Sequence, residues 1–399
     1  MVTETLRGWR SLPLEECMDA IIDYRGKTPR KATNGVPLVT AKVVKNGRIE
    51  TPNEFIAQRD FQEWMRRGLP QPGDVVITTE APLGEVAQLG EGRVALAQRL
   101  VCLRGKLGLL DNRFLKFLLM SSGVQQQLRA RSSGTTVLGI RQAELRRVVL
   151  TLPPVEKQRE VANILGALDD KIDLNRQMNQ TLEAMAQAFL NSAFFGRGWH
   201  EVPLSDVAEL NPTRRIDGDD APYVEMANLP TVGHRPSAWP VRAVGSGARF
   251  QNGDTLFARI TPCLENGKTA YVDFLNDGQI AWGSTEYIVI RPKPPLCTEW
   301  GYLLARSQAF RDFAVQKMEG TTGRQRVPAA ALAAFRVPLP PPQACARFAA
   351  AVSPLFRRMA AASDETRTLA SLRDVLLPRL LSGELVGVSR SSADHPTGP

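Results

Sequence analysis

Four cations and one aromatic crowd into the thirteen residues DYRGKTPRKATNG, Asp23–Gly35. Arg25, Lys27, Arg30 and Lys31 can each neutralise a phosphate, which supplies affinity for a polyanion but carries no base identity. The competing reading is a solvated basic loop. The following stretch, TAKVVKNGR, puts Lys42 and Lys45 at a strand end. A second candidate is a pair of Gly-Thr-Thr loops, one with Thr135, Thr136 and Arg141, the other with Thr321, Thr322, Arg324 and Arg326. Hydroxyls beside glycine allow close approach to a phosphate or a base edge; otherwise these are structural turns. A third candidate follows two Gly-Asp turns, in QPGDVVITTEAP and QNGDTLFARITP. It holds Thr78 and Thr79 in the first and Arg259, at the position matching Thr79, in the second. An arginine can pair bidentately with guanine, so Arg259 is a candidate base reader, against the alternative of an exposed strand-end cation.

Evidence for covalent chemistry is thin. RGKT (Arg25–Thr28) and NGKT (Asn266–Thr269) mimic the end of a phosphate-binding loop, but the required first glycine falls at Ile21 and Pro262. Lys27 and Lys268 remain candidate point charges toward phosphate. The Pro-Pro sequences LPPV, LPPP and KPPL lack the polar and aromatic neighbours of an adenine methyltransferase tetrapeptide. There is no HExxH, and no local support for a Ser–His–Asp or Cys–His arrangement. The five cysteines lie far apart without a CxxC pair, which points to a reducing cytoplasm and away from structural zinc.

These candidates recur because the chain repeats itself. WRSLPLEE (Trp9–Glu16) returns as WHEVPLSD (Trp199–Asp206), and VPLVTAKVV (Val36–Val44) as APYVEMANL (Ala221–Leu229). The Gly-Asp stretches, the Gly-Thr-Thr loops and LTLPPVEKQ against VPLPPPQAC follow in the same order, at offsets between 180 and 190. A period this long is a whole domain rather than a solenoid unit. The counterpart of TAKVVKNGR is EMANLPTVGHR, with Asn228 and Arg235; such divergence is expected if each copy reads something different. Within each copy, β-rich runs such as DVVITT, RLVCLR and YIVIR mix with helical spacing in Asn112–Ala130 and Glu299–Lys317. The domains are therefore α+β.

A long helix follows each domain. After Pro153-Pro154 neither Gly nor Pro occurs until Gly166, and neither again until Gly196. Apolar positions at Val161, Leu165, Leu168, Ile172, Leu182 and Phe189 form a seam at coiled-coil period, notched by Asn175 and Asn179. The second copy reads Phe348, Val352, Leu355, Met359, Leu369 and Leu376, broken by Arg373, with Pro354 placed to kink it or delay its start. A stripe of this kind can pack on its own domain. Two of matching length, each polar-notched, suit pairing with one another, with the asparagines setting register. Roughly 38 helical residues extend ~57 Å at ~1.5 Å each, a length suited to spacing two DNA half-sites about one helical turn (~34 Å) or more apart.

Composition sets the outer bounds. At 399 residues the chain is too long for one core. Net charge is +9, and residues 1–154 hold 23 Lys/Arg against 15 Asp/Glu, while residues 198–341 hold 15 of each. The excess cation thus sits in the first half and suggests a polyanion partner. Residues 1–12 lack an apolar leader core, and no apolar run reaches the ~18 residues of a membrane span. A cytoplasmic protein with no membrane partner is expected.

TLPPVEKQREVANILGALDDKIDLNRQMNQTLEAMAQAFL resembles the central conserved region of the specificity subunits of type I restriction–modification systems. GTTVLGIRQAELRRVVLTLPP resembles the segment preceding it, and LRDVLLPRLLSGEL (Leu372–Leu385) the distal conserved region. The second helix, ARFAAAVSPLFRRMAAASDETRTLASL, is Ala-rich and departs more. The resemblance implies two target-recognition domains (1–154 and 197–341), each reading half of a bipartite double-stranded DNA sequence. It implies a central helix at 155–196 and a distal helix at 342–386, packed as an antiparallel coiled coil with pseudo-two-fold symmetry, before a disordered tail at 387–399. It further implies a chain that is not itself an enzyme. Its partners would be two methyltransferase subunits, which carry the S-adenosylmethionine, and an ATP-dependent restriction–translocase in the full complex. Two rivals stand beside it. One is a self-sufficient methyltransferase with an unrecognised motif, the other a helical scaffold joining two peptide-binding domains.

Overall fold

The computed structural model describes residues 8–26, 28–195, 197–321 and 323–385; Lys27, Thr322 and the expected tail at 387–399 lie outside them. The chain forms two compact units. One comprises the residues up to Asp170 together with those from Leu369 onward, and the other is Lys171–Thr368. The division falls inside the long helices rather than at their ends.

In the first unit an antiparallel sheet orders Met18–Asp23, Leu100–Gly105, Val75–Thr79 and Leu83–Gln88. All five residues of Val75–Thr79 are buried, because this strand has a core on each face. Val75 and Ile77, with their register partners Leu103 and Val101, point into a core shared with Phe114, Phe117 and Leu128. Val76 and its partner Cys102 point the other way, into a core with Val36, Leu38 and Ile56. A mixed sheet of Ala95–Leu96, Val36–Val39, Phe55–Ile56 and Lys31–Ala32 closes that side.

The second unit repeats this plan. Ala208–Leu210, Tyr287–Pro292, Thr255–Ala258 and Thr269–Tyr271 take the same order as the first sheet. Again alternate residues part: Phe257, Ile288 and Ile290 into one core, Leu256, Ala258 and Val289 into another. A mixed sheet of Val241–Ala243, Asp220–Val224, Ala281–Gly283 and Ala248–Phe250 completes it.

The helical run expected over Asn112–Ala130 is two helices, Asn112–Met120 and Ser122–Ala130. Ser121 sits between them with extended backbone, and its hydroxyl accepts from the Val124 amide. Ser307 does the same between Thr298–Arg306 and Gln308–Gln316. A serine that bonds the following turn's amide starts a new helix rather than continuing the old one.

The central helix spans Val155–Phe194 and the distal helix Pro342–Leu381, 40 residues each. The distal helix begins on Pro342, where a missing amide costs nothing, and continues through Pro354 without delay. In the second unit Asn175 Nδ2 donates to Glu365 (2.8 Å) and reaches the Ala362 carbonyl, while Asn179 Nδ2 donates to Ser363 (3.0 Å) and the Met359 carbonyl. Partner numbers fall as the asparagine numbers rise, so these segments run antiparallel. In the first unit Asp169 is buried between Lys116 (2.5 Å) and Arg373 (2.9 Å). The cation that interrupts the distal stripe therefore has a matching acid.

The buried positions of the central helix include Val161, Leu165, Asp169, Ile172, Asn175, Ala186, Leu190 and Phe194; Leu168, Asn179 and Leu182 are half-buried. Phe189 is 42% exposed and is not a seam residue; Leu190 takes its place. A 3.6-residue helix drifts off a strict heptad, and here Leu190 and Phe194 turn into the second unit's core beside Trp300 and Phe348. On the distal helix Val352, Phe356 and Met359 are buried, with Leu355, Leu369 and Leu376 half-buried. Among the described residues no helix is long and apolar enough to cross a membrane.

Candidate nucleic-acid interface

Each unit builds a cleft at the end of its Gly-Asp strand, and a buried carboxylate fixes that strand. Asp74 accepts from the Gln71 amide and takes two bonds from Arg104, both 2.8 Å. Asp254 accepts from the Gln251 amide, Arg214 and Arg291. Both acids are fully buried, so each depends on its arginines for charge balance. Cys102 lies beside Asp74, and burial, with that carboxylate adding, pushes its thiol well up.

Beyond the strand, the two copies share one backbone frame. The Thr79 amide donates to the Arg99 carbonyl (2.9 Å), and the Ile140 amide to the Thr79 carbonyl (2.9 Å). In the second unit the Arg259 amide donates to Glu286 (3.0 Å), and Val327 to Arg259 (2.9 Å). The Gly-Thr-Thr loops close on themselves through paired bonds between Ser133 and Gly139, and between Glu319 and Arg326. Strand end and loop, separate candidates in the sequence, thus form one corner in each unit.

The first corner opens on a cleft of about 220 Å³ lined by Arg25, Thr79, Glu80, Ser133, Gly139 and Arg141 among others. The second, of about 370 Å³, is lined by residues that include Arg214, Arg249, Arg259, Thr285 and Tyr287. Arg259 is the notable group there. Its Nε is buried without a hydrogen-bond partner and lies 3.8 Å from Glu286. That carboxylate is engaged by Arg326, at 2.8 and 3.0 Å through Nε, which raises the Arg326 pKa.

The remaining candidates divide by their partners. Thr78 and Thr79 are withdrawn: both are buried, Thr78 Oγ1 accepting from the Glu85 amide and Thr79 Oγ1 donating to the Arg99 carbonyl. Arg25 is held by Asp23 and by the Ile140 carbonyl, so it braces the corner. Lys31 and Lys45 pair on the surface with Glu54 and Glu50, contacts that solvent screens and a phosphate can displace. Arg30, Lys42, Thr135, Thr136, Arg141, Thr321 and Arg324 are exposed. Lys268 donates to the Met226 carbonyl and Asn228 accepts from Ser237, which ties both to one turn. Arg235 is internal, paired with Asp273 and Asp364. Tyr24 is core, stacked on Trp64 with its hydroxyl on the Gly68 carbonyl.

Sequence reasoning missed Asp74, Asp254, Arg104, Arg291, Arg99 and Glu286. The signal was present: each of the Asp and Arg pairs recurs at the offsets of the repeat. Among the described residues no cluster of His, Cys, Asp or Glu could hold a metal ion.

Comparison with known proteins agrees with this duplicated frame. Residues 8–184 match the family profile described as Type I restriction modification DNA specificity domain. The type I restriction enzyme EcoAI specificity subunit of Escherichia coli is 33% identical over 155 residues, covering 37% of this chain and 26% of that protein. The match to EcoEI, also from Escherichia coli, is 29% over 168 residues, covering 40% and 28%. This chain therefore aligns with little more than a quarter of either relative. The MjaIX specificity subunit of Methanocaldococcus jannaschii aligns across 88% of this chain and 87% of its own length at 21% identity. The crystal structure of a type I restriction–modification S subunit from M. genitalium shares the fold, with a TM-score of 0.58 at 14% identity over 93% of this chain and 96% of that one. The likeness in fold extends over both α+β units and their long helices, while the match to the type I restriction–modification DNA specificity profile covers the first unit's domain and most of the central helix.

Proposed function

We propose that this chain is the sequence-reading component of a type I methyltransferase complex. Each α+β unit reads one half of a bipartite DNA target, and the long helices set the spacing. The observation that carries this reading is the pair of corners: one backbone frame, built twice, lined by different side chains. A shared frame is what two readers of different half-sites require, and the permuted side chains are where their targets diverge. In this reading the chain performs no chemistry. Two methyltransferase subunits supply the reaction and hold the S-adenosylmethionine, and a restriction–translocase joins in the full complex. The exposed cations Arg30, Lys31, Lys42 and Lys45 serve phosphate, and Arg259 reads a base. The family match gives no support to a self-sufficient enzyme or a peptide-binding scaffold.

Sequencing methylated adenines in a host carrying this chain and its methyltransferase tests the proposal. One two-part motif with a fixed gap is expected. An uninterrupted motif, or methylation that ignores which specificity chain is present, overturns it.

A further inference from the structure

Each corner sets an arginine against an acid at its strand end, but the arginine comes from opposite sides of the shared backbone hydrogen bond. In the second unit the arginine is Arg259, at the strand end, and the acid is Glu286, whose carbonyl accepts the Arg259 amide. In the first unit the strand-end position is Thr79, whose hydroxyl is occupied, and the residue whose carbonyl accepts its amide is Arg99. The acid is Glu80, next along the strand, with Oε1 3.0 Å from Arg99 Nε. Arg99 and Glu286 thus occupy one frame position with opposite charge.

Resting on the DNA-reading role above, we propose that Arg99 is the base-reading arginine of the first unit, the counterpart of Arg259, and that Glu80 positions it. The Arg99 side chain is half exposed, so it can meet a duplex. Its ion pair uses Nε, which leaves the Nη1–Nη2 edge for a bidentate pair with two acceptors, the pattern of guanine O6 and N7. Arg25 is engaged by Asp23 and Ile140. Arg141 is the remaining cation of that cleft, but the repeat places Pro328 at its counterpart, so it does not belong to the shared frame.

The test uses the assembled complex of this chain with its methyltransferase. It measures affinity for the cognate duplex, for duplexes substituted in one half-site, and for an unrelated duplex at matched salt. Arg99→Ala should cut discrimination at the first half-site by about tenfold to a hundredfold, a loss on the cognate duplex well beyond the loss on the unrelated one. Arg99→Lys keeps the charge but loses the planar fork, and should lose most of the same discrimination. Glu80→Gln should lose less, and nothing further when combined with Arg99→Ala. Arg259→Ala should act on the second half-site only. Unchanged discrimination in Arg99→Ala, equal loss on cognate and unrelated duplexes, or the same effect from Arg141→Ala instead, each overturns the assignment. If the unsubstituted complex fails to discriminate, the DNA-reading role itself falls, which the wild-type measurement reveals before any variant is made.

Discussion

Asp74 and Asp254 show how a single buried charge can hold a strand-end corner in place. Each sits where the strand begins, out of water, with its oxygens filled by a turn amide and arginine donors. Replacing Asp74 by Ala leaves Arg104 without its partner, and should cost about 3–5 kcal/mol, the range for breaking a buried pair from one side. Urea unfolding of the variant, followed in the first unit, measures it; a loss below about 1 kcal/mol contradicts the anchoring role. Asp254→Ala strands two arginines rather than one and should cost at least as much. In the sequence these acids were visible only as the turn-forming half of Gly-Asp. Propensity explains the turn but not the arginine that arrives 30 or 37 residues later, because that pairing depends on strand order. For the same reason Thr78 and Thr79 looked available: alternation along a strand implies one wet face, and here both faces are dry.

Elements were more legible than their contacts. The α+β mixture, the long helices and the asparagine notches follow from periodicity, which is local. The seam was misjudged at Phe189, since a strict heptad extrapolates poorly once a helix leaves its partner for a globular core. The serine breaks at 121 and 307 escaped because apolar spacing continues across them. At the helix pairing, the Asn175 amide holds the Glu365 carboxyl below its ordinary value, with Lys171 assisting. A folded-state value below the unfolded one contributes stability above the ordinary carboxylate range, and that contribution disappears as pH falls through the lowered value. Glu365→Gln should therefore melt lower than the parent at pH 7, with the gap closing as pH falls below the ordinary carboxylate range. A gap that persists or widens in acid would show that the charge is not what the pairing uses.

At the scale of the whole chain, the division into units is the feature the sequence least disclosed. Repeat analysis places a domain before each helix, yet the first unit is completed by residues from Leu369 onward, where Leu376, Leu377 and Leu380 pack against its core. Ending the chain before Leu369 should raise amide exchange across residues 8–170 while sparing 171–368. Leu380→Ala, which removes one buried side chain, should cost about 2–3 kcal/mol in the first unit alone. Protection lost mainly from the second unit would contradict the assignment. The order of synthesis then acquires a meaning. With 198 residues between Asp170 and Leu369, a ribosome working at about 5–20 residues per second leaves the earlier head unfinished for roughly 10–40 s. The later head has all its parts before that wait ends. Translation cut short in this interval yields a polypeptide whose opening half lacks its closing leucines, so a prematurely released fragment carries an unfinished first unit with part of its apolar core uncovered.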